Sequence, residues 1–322
     1  TILTSSDGTT WTSRTSGTTE GLRGITYENS TFVAVGTSST ILTSSDGTTW
    51  TSVLFGDSGN FWTTATSPTT KDLFGVGFGN NTFVGVGNSG NIVRSTDNGA
   101  SFDNGTSPTS NTLLGVGFGN NTFVAVGYSG TILTSANNGT SWDDRTSGTE
   151  LLSGVTFGND TFVGVSTSGS GNIVRSTDKG SSWGNATSFT GNQINGVRFG
   201  NNTFVAVGYD GYVATIIRST DNGTSWDKVT PPTAQGLRGV AFGNNTFVAV
   251  GYSGTIIRST DNGISWENVT SSRTETLWGV SFVNNTFAAG GSGTNGIIRS
   301  KDNGITWENV SSPTNQYFSG WL

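Results

Sequence analysis

The chain of 322 residues contains no His and no Cys, which excludes imidazole, thiol and disulfide chemistry from the outset. Carboxylates, guanidiniums and hydroxyls remain. Glycoside hydrolysis needs two carboxylates facing each other across a cleft. Many Asp belong to one repeated motif, and the acids outside it (Asp57, Asp72, Asp160, Asp210, Glu20, Glu28, Glu150 and Glu275 among them) follow no spacing that pairs them. Bidentate Arg is the right group for holding a carboxylate. Arg94, Arg175, Arg218, Arg258 and Arg299, however, all occupy one repeated position, which spreads them around a repeat architecture instead of converging them. There is no Gly-x-Ser-x-Gly elbow, and a His-based triad is impossible. Asp221 to Asp227 has the outline of a calcium loop but too few ligands for an EF-hand. The expectation is a chain with no catalytic centre, no metal and no cofactor.

The repeated motif is Ser-x-Asp-x-Gly-x-Ser/Thr-Trp. Eight copies begin at Ser5, Ser44, Ser95, Ser135, Ser176, Ser219, Ser259 and Ser300. Their acidic positions are Asp7, Asp46, Asp97, Asn137, Asp178, Asp221, Asp261 and Asp302, with Asn standing in the fourth copy. The first two copies are one residue shorter, and the third ends in Phe102. This is turn chemistry: Asp and Ser bond nearby backbone groups, and Gly supplies positive φ. Trp then opens a strand and buries a large flat surface. Between copies lies a second unit, typified by Leu237 to Gly251: Leu-x-Gly-Val-x-Phe, then Gly-Asn-Asn, then Thr-Phe-Val-Ala-Val-Gly. Alternating apolar residues around an Asn-Asn pair describe a β-hairpin. Each repeat is therefore a meander of four strands, and no helix pattern appears. The steps between copies are 39, 51, 40, 41, 43, 40 and 41 residues, the period of an all-β propeller whose blades bury their faces only by stacking.

The motif resembles the Asp-box, or BNR, repeat of sialidases, sortilin-like receptors and propeller-type photosystem II assembly factors. The resemblance covers nearly the whole chain. It implies that each copy is a structural latch between the third and fourth strands of a blade, usually remote from any active site. A sialidase would also need a three-arginine cluster, a Tyr/Glu nucleophile pair, an Asp acid and an opening Arg-Ile-Pro; that last motif is absent. The assembly factors use such repeats for docking without catalysis. Their role implies a basic patch, whereas this chain has net charge −6.

The preferred count is eight blades in one propeller domain over 1–322, with seven as the alternative. In the eight-blade reading the closing blade is shared: third and fourth strands come from 1–16, the first from 317–322, and no second strand is present. The chain starts in mid-repeat and has no Met, as expected of a processed product or of a segment of a longer protein. No basic run points to nucleic acid, and no apolar run is long enough for a membrane span.

Binding residues are expected where the repeat departs from itself, on loops held by a rigid scaffold. The connection 51–72 carries extra residues including Phe55, Phe61 and Trp62, and the turn at 209–213 is longer and bears Tyr209 and Tyr212. Arg23, Phe74, Leu114, Ser153, Asn195, Arg238, Trp278 and Ser319 vary at one register near the channel, where inter-blade filling is the simplest role. Sequons at Asn29, Asn80, Asn120, Asn159, Asn201, Asn244 and Asn284 place one candidate N-glycosylation site on each hairpin of one face. The expected function is a non-enzymatic structural or adhesive scaffold in an extracellular or cell-surface setting. It would bind a protein partner or copies of itself through the incomplete blade. A glycan-binding propeller is the alternative, and a sialidase-type hydrolase ranks below both.

Overall fold

A computed structural model describes residues 2–4, 12–14, 18–45, 51–52, 67–148, 150–168, 171–186, 192–292 and 297–309. These form seven four-stranded antiparallel sheets and one two-stranded sheet. The sheets are the blades of a β-propeller, so the smaller of the two expected counts holds. The preferred eighth blade is not complete among the described residues. Its position is represented by Ile2–Thr4 paired with Thr12–Arg14, the pair expected as its third and fourth strands. The expected first strand at 317–322 lies outside the described residues.

Each blade repeats one plan, which blade 6 illustrates: Leu237–Gly243, Thr246–Gly251, Ile256–Ser259 and Glu267–Val269, each pairing with the next. Blade 1 starts at Leu22, blade 2 at Leu73, blade 3 at Leu113, blade 4 at Leu152, blade 5 at Gln193 and blade 7 at Leu277. The Asn-Asn pairs turn the first hairpin with both residues at positive φ, 45° and 57° at Asn244 and Asn245. That is the primed geometry whose twist matches the flanking strands.

The first strands of successive blades lie against one another from blade 1 to blade 7 and so surround the central channel. The cores lie between blades. Val84, Val86 and Ile92 of blade 2, for example, are buried with Leu113, Phe123 and Leu133 of blade 3. The close approach depends on glycine: a Cβ on Gly119 would lie 2.1 Å from the Phe157 ring of the next blade. On the far side of blade 1, Ile2 is buried against Ala34 and Leu42, which ties the two-stranded sheet to the ring. Ile25 and Tyr27 on that side of blade 1 stay 38% and 46% exposed.

Every first strand of the seven blades carries a bulge at the residue just before its first Gly. In blade 6 Leu237 pairs with Gly251 but Gly239 already pairs with Val250, leaving Arg238 unpaired. Bulges re-aim a side chain. The variable register noted in the sequence is this bulged residue, which explains why it tolerates Arg, Phe, Leu, Ser, Asn and Trp.

Candidate functional site: an aromatic and guanidinium cluster on the loop face

Blade 5 departs from its neighbours at the turn between its second and third strands. Blades 2, 3 and 6 turn there through one short 3-10 segment, such as Tyr252–Gly254. In blade 5 the strands continue to Asp210 and Val213, which pair directly, with Gly211 at φ 64° in the turn. The longer hairpin lifts Tyr212 to 77% exposure.

Tyr209, Tyr212 and Tyr252 meet edge to face, with ring centroids 5.5 Å apart for Tyr209 and Tyr252 and 6.2 Å for Tyr212 and Tyr252. The bulged Arg238 brings its guanidinium to 5.2 Å from the Tyr209 ring centre, 4.6 Å from Tyr252 and 4.9 Å from Trp278. These are cation–π distances. Arg238 also donates to the Tyr252 hydroxyl, and the Trp278 indole donates to Ser292 Oγ at 2.8 Å. Gly236 makes the convergence sterically possible, since a Cβ there would lie 2.8 Å from Tyr209 Cβ. Burial pushes the Tyr209 phenol up, its bond with Tyr252 adds to this, and the Arg238 charge opposes it. The arrangement is a rigid, half-buried aromatic platform around a fixed cation, built from three blades.

Of the loop aromatics expected from sequence, Tyr209 and Tyr212 belong to this cluster; Phe55, Phe61 and Trp62 lie outside the described residues. Arg238 and Trp278, read as inter-blade filling, are instead the centre of the cluster, because the bulge turns them towards the loops. Tyr252 was missed. Its signal was available: Gly208-Tyr209 and Gly251-Tyr252 occupy one register in adjacent blades.

The octapeptide turns lie elsewhere and are saturated by their own bonds. In blade 5, Gly223 N–H donates to Ser219 Oγ at 2.9 Å and Ser219 donates to Asp221 at 2.8 Å. Ser225 donates to the same carboxylate through its N–H at 3.0 Å and its hydroxyl at 2.6 Å. Equivalent bonds hold Asp97, Asn137, Asp178, Asp261 and Asp302; Asp7 and Asp46 lie outside the described residues. Partial burial of Asp221 raises its pKa, but the Ser225, Ser219 and Thr224 bonds outweigh this and bring it to about 2. Asp178 and Asp302 also fall to about 2, the former mainly through Ser182. The indole N–H groups of Trp142, Trp183, Trp226, Trp266 and Trp307 donate to glycine carbonyls of their own turns. Trp142, Trp226, Trp266 and Trp307 are also buried, so their rings serve the packing between blades. Among the described residues, no three metal-ligating side chains cluster.

The opposite face carries the hairpin asparagines. Their side-chain amides bridge blades: Asn29 donates to Asn81 at 3.2 Å, Asn80 to Asn138 at 2.8 Å, and Asn120 to Asp160 at 3.1 Å. Asn159 donates to Asn222 at 2.6 Å, Asn201 to Asn262 at 3.1 Å, and Asn244 to Asn285 at 3.4 Å. The Asn284 carbonyl accepts from Thr286 at 3.3 Å. The amide nitrogen that a glycan would modify is thus in use at six of the seven candidate positions.

Fold and cluster define a propeller with a structured loop face. Similar solved structures share this architecture. YCF48 bound to D1 peptide is 19% identical with TM-score 0.60, covering 78% of this chain and 85% of that one. YCF48 from Cyanidioschyzon merolae is 19% identical with TM-score 0.64, covering 87% and 94%. The computationally designed Ika8 protein is 14% identical with TM-score 0.68, covering 93% and 90%. No protein-family model and no curated protein matches the chain. At these identities the likeness carries the fold.

Proposed function

We propose that this chain is a non-enzymatic propeller that binds a protein segment on its loop face, through Tyr209, Tyr212, Tyr252 and Trp278 around Arg238. One observation carries the reading: three blades converge these residues into an aromatic platform whose cation is held by ring faces instead of a carboxylate. Interface hot spots are enriched in Trp, Tyr and Arg. The octapeptide turns serve this function as Asp-box latches that keep the blades rigid, and the YCF48 structure with D1 peptide shows that a propeller of similar fold takes a peptide. An extracellular or cell-surface setting is part of the proposal, motivated by the polar Ser/Thr/Asn surface.

The test is an immobilised peptide library probed with the native chain and with Tyr212→Ala and Trp278→Ala. Retained peptides should be released by either substitution, with affinity falling roughly ten-fold or more. A library that retains nothing, or binding indifferent to both substitutions, would sink the reading.

Self-association is the second reading. It is favoured by the two-stranded sheet, in which only one edge of Ile2–Thr4 is paired among the described residues. An open edge is a template for another strand. Light scattering that gives a monomer mass at all concentrations would remove it.

A further inference from the structure

Ten arginines have described side chains, and seven of them are engaged in one of two ways. Arg94, Arg145, Arg258, Arg273 and Arg299 meet carboxylates. Arg175 and Arg218 donate to backbone carbonyls of the next blade's turn. Arg23, Arg198 and Arg238 do neither. All three sit on first strands, in blades 1, 5 and 6, and first strands surround the channel.

Arg23 and Arg238 occupy the same bulged register at the loop end, and each has a buried Nε without a partner. Arg198 lies further along its strand. The other blades hold Thr26, Gly77, Gly117, Thr156, Ala241 and Ser281 at its register, so a long cation is set among small side chains. Arg198 is open to solvent, yet desolvation by the surrounding protein pushes its guanidinium below the ordinary value. Both hold together for a group inside a narrow water-filled channel. The rim acids are already engaged: Glu20 accepts from Thr37 and Ser38, Asp72 from Ser38 N–H, Glu150 from Ser168. Asp210 is at the tip of the blade 5 turn, and Glu28 is at the far end of its first strand, beside the hairpin turns.

We propose that the channel is an anion site entered from the Tyr212 face, and that its ligand is an acidic peptide. Arg238 and Arg23 take carboxylates at the mouth and Arg198 takes one inside. This deepens the loop-face reading and rests on it for the point of entry. In a chain of net charge −6, three arginines without ion pairs on strands that surround one channel focus attraction for an anion there.

The probe is a fluorescein-labelled hexaglutamate peptide, as free acid and as C-terminal amide, with hexaglutamine as control. Anisotropy should show hexaglutamate binding that weakens with salt, and no hexaglutamine binding. Arg198→Gln and Arg23→Gln should each weaken it roughly ten-fold, Arg198→Lys should restore part of the loss, and Arg145→Gln should change nothing. Thermal melts confirm that each variant folds. Equal affinity for free acid and amide assigns recognition to side-chain carboxylates; preference for the free acid assigns it to the terminal one. Failure of hexaglutamate to bind, or binding untouched by Arg198→Gln, overturns the channel site. If library peptides are then still released by Tyr212→Ala, the loop-face function stands without it. If the library too retains nothing, both fall.

Discussion

At the scale of single residues the octapeptide turn is a closed hydrogen-bond unit, and its variants can be ranked from the chain itself. Asn137 occupies the Asp221 register in blade 3: its Oδ1 accepts from Ser141 N–H at 3.0 Å and its Nδ2 donates to Ser141 Oγ at 2.8 Å. Asp221→Asn should therefore be close to neutral at pH 7, whereas Asp221→Ala leaves Ser219 and Ser225 without their acceptor and should cost about 1 kcal/mol at this exposed site. Urea denaturation of both variants checks the order. The same bonds make stability acid-sensitive. Asp178, Asp221 and Asp302 have folded pKa values of about 2 against 3.8 for the free carboxyl, so the unfolded chain takes up protons first as pH falls. Their contribution is fully present above pH 4 and disappears as pH drops towards 2. Melting temperatures measured through that window should fall, and fall less steeply in Asp221→Asn.

At the scale of strands and blades, packing is decided by what each first strand presents to its neighbour. Gly119→Ala would drive a methyl into the Phe157 ring and should cost roughly 2–3 kcal/mol by overpacking, read from denaturation midpoints. The register is not glycine everywhere: Glu28 in blade 1 and Val283 in blade 7 hold it and are exposed. The strands were legible in the sequence because period-two alternation and Asn-Asn turns repeat at fixed spacing. The loop-face cluster was not. Tyr209, Arg238, Tyr252 and Trp278 come from three blades, and their meeting depends on the bulge that frees Arg238 from its ladder. A bulge changes which way a side chain faces without leaving a mark in the alternation on either side of it. Tyr212 was legible, because an insertion in a repeat shows as a change of spacing.

At the scale of the whole molecule, stability is a chain of interfaces between neighbours. Blades 2 to 6 are each flanked by apolar cores on both sides. Blade 1 has the Ile2 contact on its outer side, and blade 7 holds Ala288 and Gly290 where blade 6 packs Val248 and Val250. Amide hydrogen exchange should therefore be slowest in blades 3 to 5 and faster in blades 1 and 7. Uniform protection around the ring would contradict this ordering. The count of blades was ambiguous in the sequence for a related reason: the motif repeats eight times, but a motif marks two strands and a blade needs four.

The octapeptide turn also bears on how the molecule ages. Five copies contain Asn-Gly, at Asn98, Asn138, Asn222, Asn262 and Asn303, the dipeptide in which asparagine is most readily lost to deamidation. That reaction needs the glycine nitrogen to attack the asparagine side chain. Here every one of those nitrogens is held by a serine hydroxyl at 2.8–2.9 Å. In peptide maps of protein incubated at mildly alkaline pH, these five asparagines should stay intact in the folded chain and be lost in the urea-unfolded chain, and equal rates would disprove the protection. The turns that latch the blades thus also act as a shelter against chemical decay, and a molecule damaged at these positions is one that has already opened.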